Sequence, residues 1–137
     1  MQNELSKIIF IRDGKLEDHN LVIATFLRGL YYGDSWFGMI PKQVFMDNYK
    51  HVISKLLEKN VLKVACLIED PDTIVGYSLL NPSLQTIHWV FVKKLWRNKG
   101  IGRALTPMNV NTVTHLNQTG KTLLPKLKDA TFNPFAL

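Results

Sequence analysis

Apolar positions along the chain follow two periods, and their alternation predicts the order of elements. Ile8-Ile9-Phe10-Ile11 is a short β-branched run closed by Asp13-Gly14, which predicts a first strand ending in a turn. From Glu17 to Leu30 the residues Leu21, Val22, Ala24, Phe26, Leu27 and Leu30 recur at helical spacing, with Asp18 placed to cap the helix. Tyr31 to Gly38 is aromatic and punctuated by glycine, so a loop is expected there. Pro41 opens a second helix with one apolar stripe of Val44, Phe45, Tyr49, Val52, Ile53, Leu56 and Leu57. Proline suits a first helical turn, where its missing N–H is not needed.

Three strands are predicted next: Leu62 to Ile68, Ile74 to Leu80 and Thr86 to Val92. Short turns at Pro71-Asp72 and Asn81-Pro82-Ser83 make them an antiparallel meander. A glycine-rich turn and a helix over Ile101 to Leu116 follow. Pro107 lies inside that helix, where its ring removes a backbone bond, so Thr106-Pro107 is suited to cap and restart a second helical piece. Ala130 to Leu137 reads as a last strand, parallel to the final strand of the meander. The order strand, two helices, three strands, helix, strand is an α+β layout with a mixed sheet.

Composition narrows the class. A chain of 137 residues fits one domain, 1–137, and is too short for two. With 46% hydrophobic and 20% charged residues it has ordinary globular composition. No apolar run approaches the ~18 residues of a membrane span, and the first residues lack the pattern of a secretory signal. The single cysteine, Cys66, excludes an internal disulfide and a cysteine-built zinc site, so a reducing, cytoplasmic setting is expected. The net charge of +6 favours an anionic partner. Lys93, Lys94, Arg97, Lys99 and Arg103 crowd one segment around Gly100 and Gly102, whereas the other cations are scattered.

That segment carries the chemistry. A strand ends near Val92 and a helix begins near Gly100. Two glycines let the backbone turn tightly and let a bulky anion approach without a Cβ in the way. The first N–H groups of a helix lack internal partners and sit at its positive end. Strand, glycine turn, helix and cations together suit a pyrophosphate. A P-loop is excluded because no Gly-x-x-x-x-Gly-Lys-Ser/Thr occurs. A dinucleotide fingerprint is excluded because Leu105 stands where a third glycine belongs, and Thr119, Gly120 and Lys121 where an acid belongs.

Arg97-Asn98-Lys99-Gly100-Ile101-Gly102 resembles the Arg/Gln-x-x-Gly-x-Gly/Ala signature of the GNAT superfamily of acyltransferases. Arg103-Ala104-Leu105 continues it in the usual way, and Phe91-Val92 falls where the family's fourth strand ends. The element order is also similar, and the whole resembles short phage-encoded members. The resemblance implies an N-acetyltransferase that moves an acetyl group from acetyl-coenzyme A directly to an amine, with no metal. Backbone amides of Arg97, Asn98, Lys99, Gly100, Ile101, Gly102 and Arg103 would hold the pyrophosphate. Val90, Phe91 and Val92 would meet the pantetheine arm and acyl carbonyl, and Lys93, Lys94 or Arg103 the remaining phosphate.

His88 sits on the presumed fourth strand, where relatives often place a base, and neutral histidine accepts an amine proton near pH 7. The competing reading is a strand histidine partnered by a carbonyl or water. Tyr31, Tyr32, Asp34 and Trp36 are the candidates to line the acceptor pocket, with Asp34 attracting a cationic amine; the alternative is that the aromatics simply bridge two helices. Cys66, within Val64-Ala65-Cys66-Leu67-Ile68, reads as a small inert hydrophobe. His19, His51 and His115 have no shared metal spacing and read as surface or helix-end residues.

In many GNAT relatives an Asn-x-x-Ala pattern opens a helix whose tyrosine protonates the leaving thiolate. Asn133-Pro134-Phe135-Ala136 fits its opening, so Asn133 would bond the pantetheine, but Leu137 is the last residue. The expectation is that a second copy or a partner protein covers the sheet edge. The leaving group would then be protonated by water, by Tyr31 or Tyr32, or not at all. A rival function is a binding protein on the same fold with weak or no catalysis, acting on a host or partner protein. Nucleic-acid binding ranks last for lack of any recognisable module, and no membrane partner is expected.

Overall fold

The computed structural model describes residues 2–33, 35–116, 121, 124–127 and 130–137. One turn, α1 (Gln2–Leu5), leads into β1 (Ile9–Asp13), then α2 (His19–Gly33), a single-turn α3 (Ser35–Gly38) and α4 (Lys42–Lys59). β2 (Val61–Leu67), β3 (Ile74–Asn81) and β4 (Thr86–Val92) form the meander. α5 (Ile101–Ala104) is again one turn, followed by β5 (Thr112–Val113) and β6 (Thr131–Phe132). Among the described residues the sheet has six strands in the order β1-β2-β3-β4-β5-β6. β1 through β4 pair antiparallel, while β4, β5 and β6 pair parallel.

Side chains alternate across a strand, and both faces of the central strands are covered. α2 and α4 lay Val22, Phe26, Leu30, Phe45, Ile53 and Leu56 against Val64, Tyr77, Leu79 and Trp89. On the other cluster Ile101, Leu105, Val110 and Val113 pack with Val75, Leu80, Val90 and Val92. The β3–β4 register steps from Leu79 opposite Trp89 to Leu80 opposite Ile87, so His88 is an extra residue in β4. Such a bulge leaves one residue outside the ladder and re-aims its side chain.

Five local expectations are corrected. In place of the expected loop, α2 runs on to Gly33 and α3 covers Ser35–Gly38, because Tyr31 and Phe37 each find the ring of Phe45, at 5.1 and 5.4 Å. The helix expected over Ile101 to Leu116 stops after Ala104: the Leu105 and Thr106 amides close on Ile101 and Arg103, and Pro107 has no N–H to continue. The terminal strand is parallel as expected, but β5 lies between it and β4. Asp18 lies in the turn before α2 and reaches backward, accepting from the Lys15 amide at 2.7 Å and from Arg12 at 2.8 and 3.1 Å. Those bonds to Arg12, against the cost of burial, hold its carboxyl below the ordinary range. Val44 also leaves the expected stripe and is exposed. Among the described residues no helix is long and apolar enough to cross a membrane.

Candidate functional site

The turn after β4 is held from both ends. The Lys93 amide donates to Val75 O at 2.8 Å, a 3-10 turn runs over Lys94–Trp96, and Arg97 Nε donates to Val92 O at 2.9 Å. The chain then bends through two left-handed residues, Asn98 at φ 63° and Gly100 at φ 92°. Asparagine and glycine tolerate this region, which other residues enter at a cost of about 1–2 kcal/mol. Buried Ile101 and Leu105 fasten α5 beneath the sheet, and Ser78 Oγ donates to Leu105 O at 2.8 Å. The first bonds inside α5 are made by the amides of Ala104 and Leu105, so the amides ahead of Ala104 have no helical acceptor. Around the turn Lys93, Lys94, Lys99 and Arg103 are exposed. The missing Cβ of Gly100 has space: its nearest neighbour would be Leu5 Cδ2 at 3.7 Å.

β4 and β5 separate early. They pair only at Thr86–Thr112 and Ile87–Val113, and the Thr114 amide makes a bond to Ile87 O at 3.1 Å. β4 continues to Val92, so a fork opens where the bulge begins. A small cleft in the fork is lined by Ile87, Trp89, Val90, Thr106, His115 and Leu127, among others.

The fork holds a buried polar chain. His88, 2% exposed, bonds through Nδ1 to Thr114 Oγ1 at 2.9 Å. Thr114 Oγ1 in turn meets His115 Nδ1 at 2.9 Å, and His115 Nε2 meets the Tyr49 hydroxyl at 2.5 Å. His115 also stands edge-on to Phe26 and Tyr49. Burial pulls His88 down to about 4. Burial, then repulsion from His88, pulls His115 down to about 4 as well. Burial pushes the Tyr49 hydroxyl up to about 12. All three are therefore neutral near pH 7. The reading of His115 as a surface or helix-end residue is corrected: it is 7% exposed and follows β5. Sequence periodicity missed it because Thr112 to His115 fell inside an expected helix. His19 is half-buried at the start of α2, and His51 is exposed on α4. Among the described residues no group of three or more His, Cys, Asp or Glu is placed to hold a metal ion.

Other candidates are distributed unevenly. Val90 and Val92 are buried and Phe91 is half-buried against Tyr77. The carbonyl of Val92 is already engaged by Arg97, and the Arg97 amide approaches Lys94 O at 3.4 Å. Tyr31 is tied by its hydroxyl to Ile40 O at 2.9 Å, whereas Tyr32 and Trp36 are each 65% exposed. These aromatics bridge helices and form exposed surface at α2 and α3, and Asp34 lies outside the described residues. Asn133 is exposed; its side-chain oxygen accepts from the Phe135 amide at 3.1 Å. Cys66 is fully buried.

No protein-family model matches the chain, and no curated protein does. Solved structures do. Apo-form YjaB from Escherichia coli is 23% identical, with a TM-score of 0.52 over 71% of this chain and 60% of that one. A candidate acetyl transferase from Pyrococcus furiosus is 20% identical, with a TM-score of 0.56 over 71% and 68%. A protein from Corynebacterium glutamicum, described as histone acetyltransferase HPA2 and related acetyltransferase, is 17% identical, with a TM-score of 0.52 over 72% and 67%. The match spans 60% of the length of the Escherichia coli protein. At this identity the likeness concerns the fold: the chain has the mixed-sheet GNAT acyltransferase fold, with the parallel strands at β4 and β5.

Proposed function

We propose that this protein is an N-acetyltransferase that takes its acetyl group from acetyl-coenzyme A and passes it directly to an amine. The observation that carries the reading is a pairing within one short stretch of chain. The strand fork at the His88 bulge is followed, beyond Val92, by the left-handed Asn98–Gly100 turn among exposed cations. On a GNAT fold these are the places for a thioester and for a pyrophosphate.

The residues present fit that ligand. The amides of Asn98 to Arg103 would receive the pyrophosphate, with the open side of Gly100 admitting its oxygens. Lys93, Lys94, Lys99 and Arg103 supply the surrounding positive charge. Bound acetyl-coenzyme A would supply an acetyl group already activated as a thioester. Val90 and Phe91, beside the fork, would orient the arm and carbonyl, and an amide there would steady developing negative charge. Arg97 braces the end of β4 through Val92 O, a supporting part in place of direct phosphate binding by its side chain. His88 is the group proposed to receive the amine proton. The exposed aromatics Tyr32 and Trp36, with Asp34, are the proposed approach for the acceptor.

The test is calorimetric titration with acetyl-coenzyme A, followed by thioester cleavage against a panel of amines. Binding that is lost in Gly100→Val, together with amine-dependent release of free coenzyme A by the unmodified protein, supports the reading. Binding with no release over the whole panel replaces it with a coenzyme A-binding protein. Unchanged affinity in Gly100→Val removes the turn from the site. Because transfer is direct, Cys66→Ala should keep its turnover.

A further inference from the structure

The fork contains more proton-handling groups than a single base requires. His88, Thr114, His115 and Tyr49 form one continuous chain of hydrogen bonds, with contacts of 2.9, 2.9 and 2.5 Å. It runs from the bulge of β4, across the residues that follow β5, to α4. Its two ends differ: His88 is 2% exposed, whereas Tyr49 is half-buried. Nδ1 of His88 is used by Thr114, which leaves Nε2 as its second ring nitrogen. His115 lines the cleft itself.

We propose that this chain is a proton relay, in which Thr114, His115 and Tyr49 are positioning residues that carry the proton accepted at His88 Nε2 away to α4. The proposal rests on the acetyltransferase reading above. The protons balance along it. Before transfer His88 carries its proton on Nδ1 and donates to Thr114; Thr114 donates to His115 Nδ1; His115 Nε2–H donates to Tyr49, whose hydroxyl proton points outward. The amine proton bonds to His88 Nε2 as the Nδ1 proton passes to Thr114, the Thr114 proton to His115 Nδ1, the His115 Nε2 proton to Tyr49, and the Tyr49 proton to water. Every group ends neutral with its hydrogen bond reversed.

This direction-reversible arrangement answers a difficulty in the site. A buried histidine that had to store a whole proton would be a poor base, because burial opposes the cation. A relay stores none. A hydroxyl between two imidazoles can rotate to donate to either and accept from either.

The experiment compares Thr114→Val, which keeps the shape and removes the hydroxyl, with Thr114→Ser, which keeps the hydroxyl. Tyr49→Phe, at the outer end, serves as a second break if Thr114→Val does not fold. Steady-state rates with acetyl-coenzyme A and the best amine are measured in mixtures of light and heavy water. Expected are a fall in kcat of about tenfold or more in Thr114→Val and Tyr49→Phe, and recovery in Thr114→Ser. KM for acetyl-coenzyme A should stay within about twofold, since the relay does not touch the cofactor. The dependence of rate on heavy-water fraction should be curved in the unmodified protein, where several protons move together, and linear in the broken variants. Full kcat with unchanged curvature in folded Thr114→Val or Tyr49→Phe overturns the relay and leaves the acetyltransferase reading standing. An unmodified protein that cleaves no thioester with any amine overturns that reading, and the relay with it.

Discussion

Gly29 of α2 lies against Trp89 of β4 so closely that a Cβ on the glycine would fall 2.8 Å from the indole Cζ2. The same indole stacks on Phe26 at 4.3 Å with planes 7° apart, one helical turn earlier. Helix and strand are thus seated on each other through a flat ring. That seating sets the depth at which β4, its bulge and the fork lie beneath the helices.

Gly29→Val should therefore act as an overpacked core position. Trp89 is 1% exposed and has little room to retreat. A loss of about 1–3 kcal/mol is expected, read as a lowered midpoint in urea denaturation followed by circular dichroism. An unchanged midpoint would show that the indole shifts freely and that the contact does not set the strand's depth.

Asn98 tests the turn by itself. With φ at 63°, it occupies a region that a β-branched residue enters at a cost of about 1–2 kcal/mol, while glycine enters freely. Asn98→Val should lower the denaturation midpoint and weaken acetyl-coenzyme A binding, and Asn98→Gly should leave both nearly unchanged. Equal behaviour of the two variants would place the recognition elsewhere.

Acid should unfold the protein through its buried histidines. His88 and His115 fall from an ordinary value of 6.5 to about 4 when folded. Between those values the unfolded chain binds more protons than the folded one, so stability rises with pH and is lost as pH falls from about 6.5 to about 4. A histidine shifted this far contributes on the order of 3 kcal/mol when taken alone. Asp18, whose carboxyl is depressed by Arg12, loses its contribution at still lower pH. Urea denaturation at a series of pH values checks this: the slope between pH 6.5 and 4 should shrink in His115→Gln, and an equal slope would remove His115 from the linkage.

Local physics made much of this legible in the amino-acid sequence. β-Branched runs bounded by proline, asparagine and aspartate marked β2, β3 and β4 nearly to their ends, and Thr86 to Val92 was read without error. Gly100 marked the turn after β4 because a left-handed position in a cationic segment leaves a compositional trace. The shape of the fork was decided by tertiary structure. Thr112 and Val113 became a strand because the edge of β4 offered them a ladder, which a helix-like stretch of sequence does not announce. His88 was visible as a residue of β4, but its place as the bulged one depends on the register against β3. His115 and Tyr49 were read as a surface or helix-end residue and a core residue; only the tertiary fold brings the imidazole that follows β5 and the hydroxyl on α4 to 2.5 Å. Periodicity reports which side of its own element a residue occupies. A hydrogen-bond chain across three elements exists only once their registers and depths are set together, and no single stretch of sequence contains them.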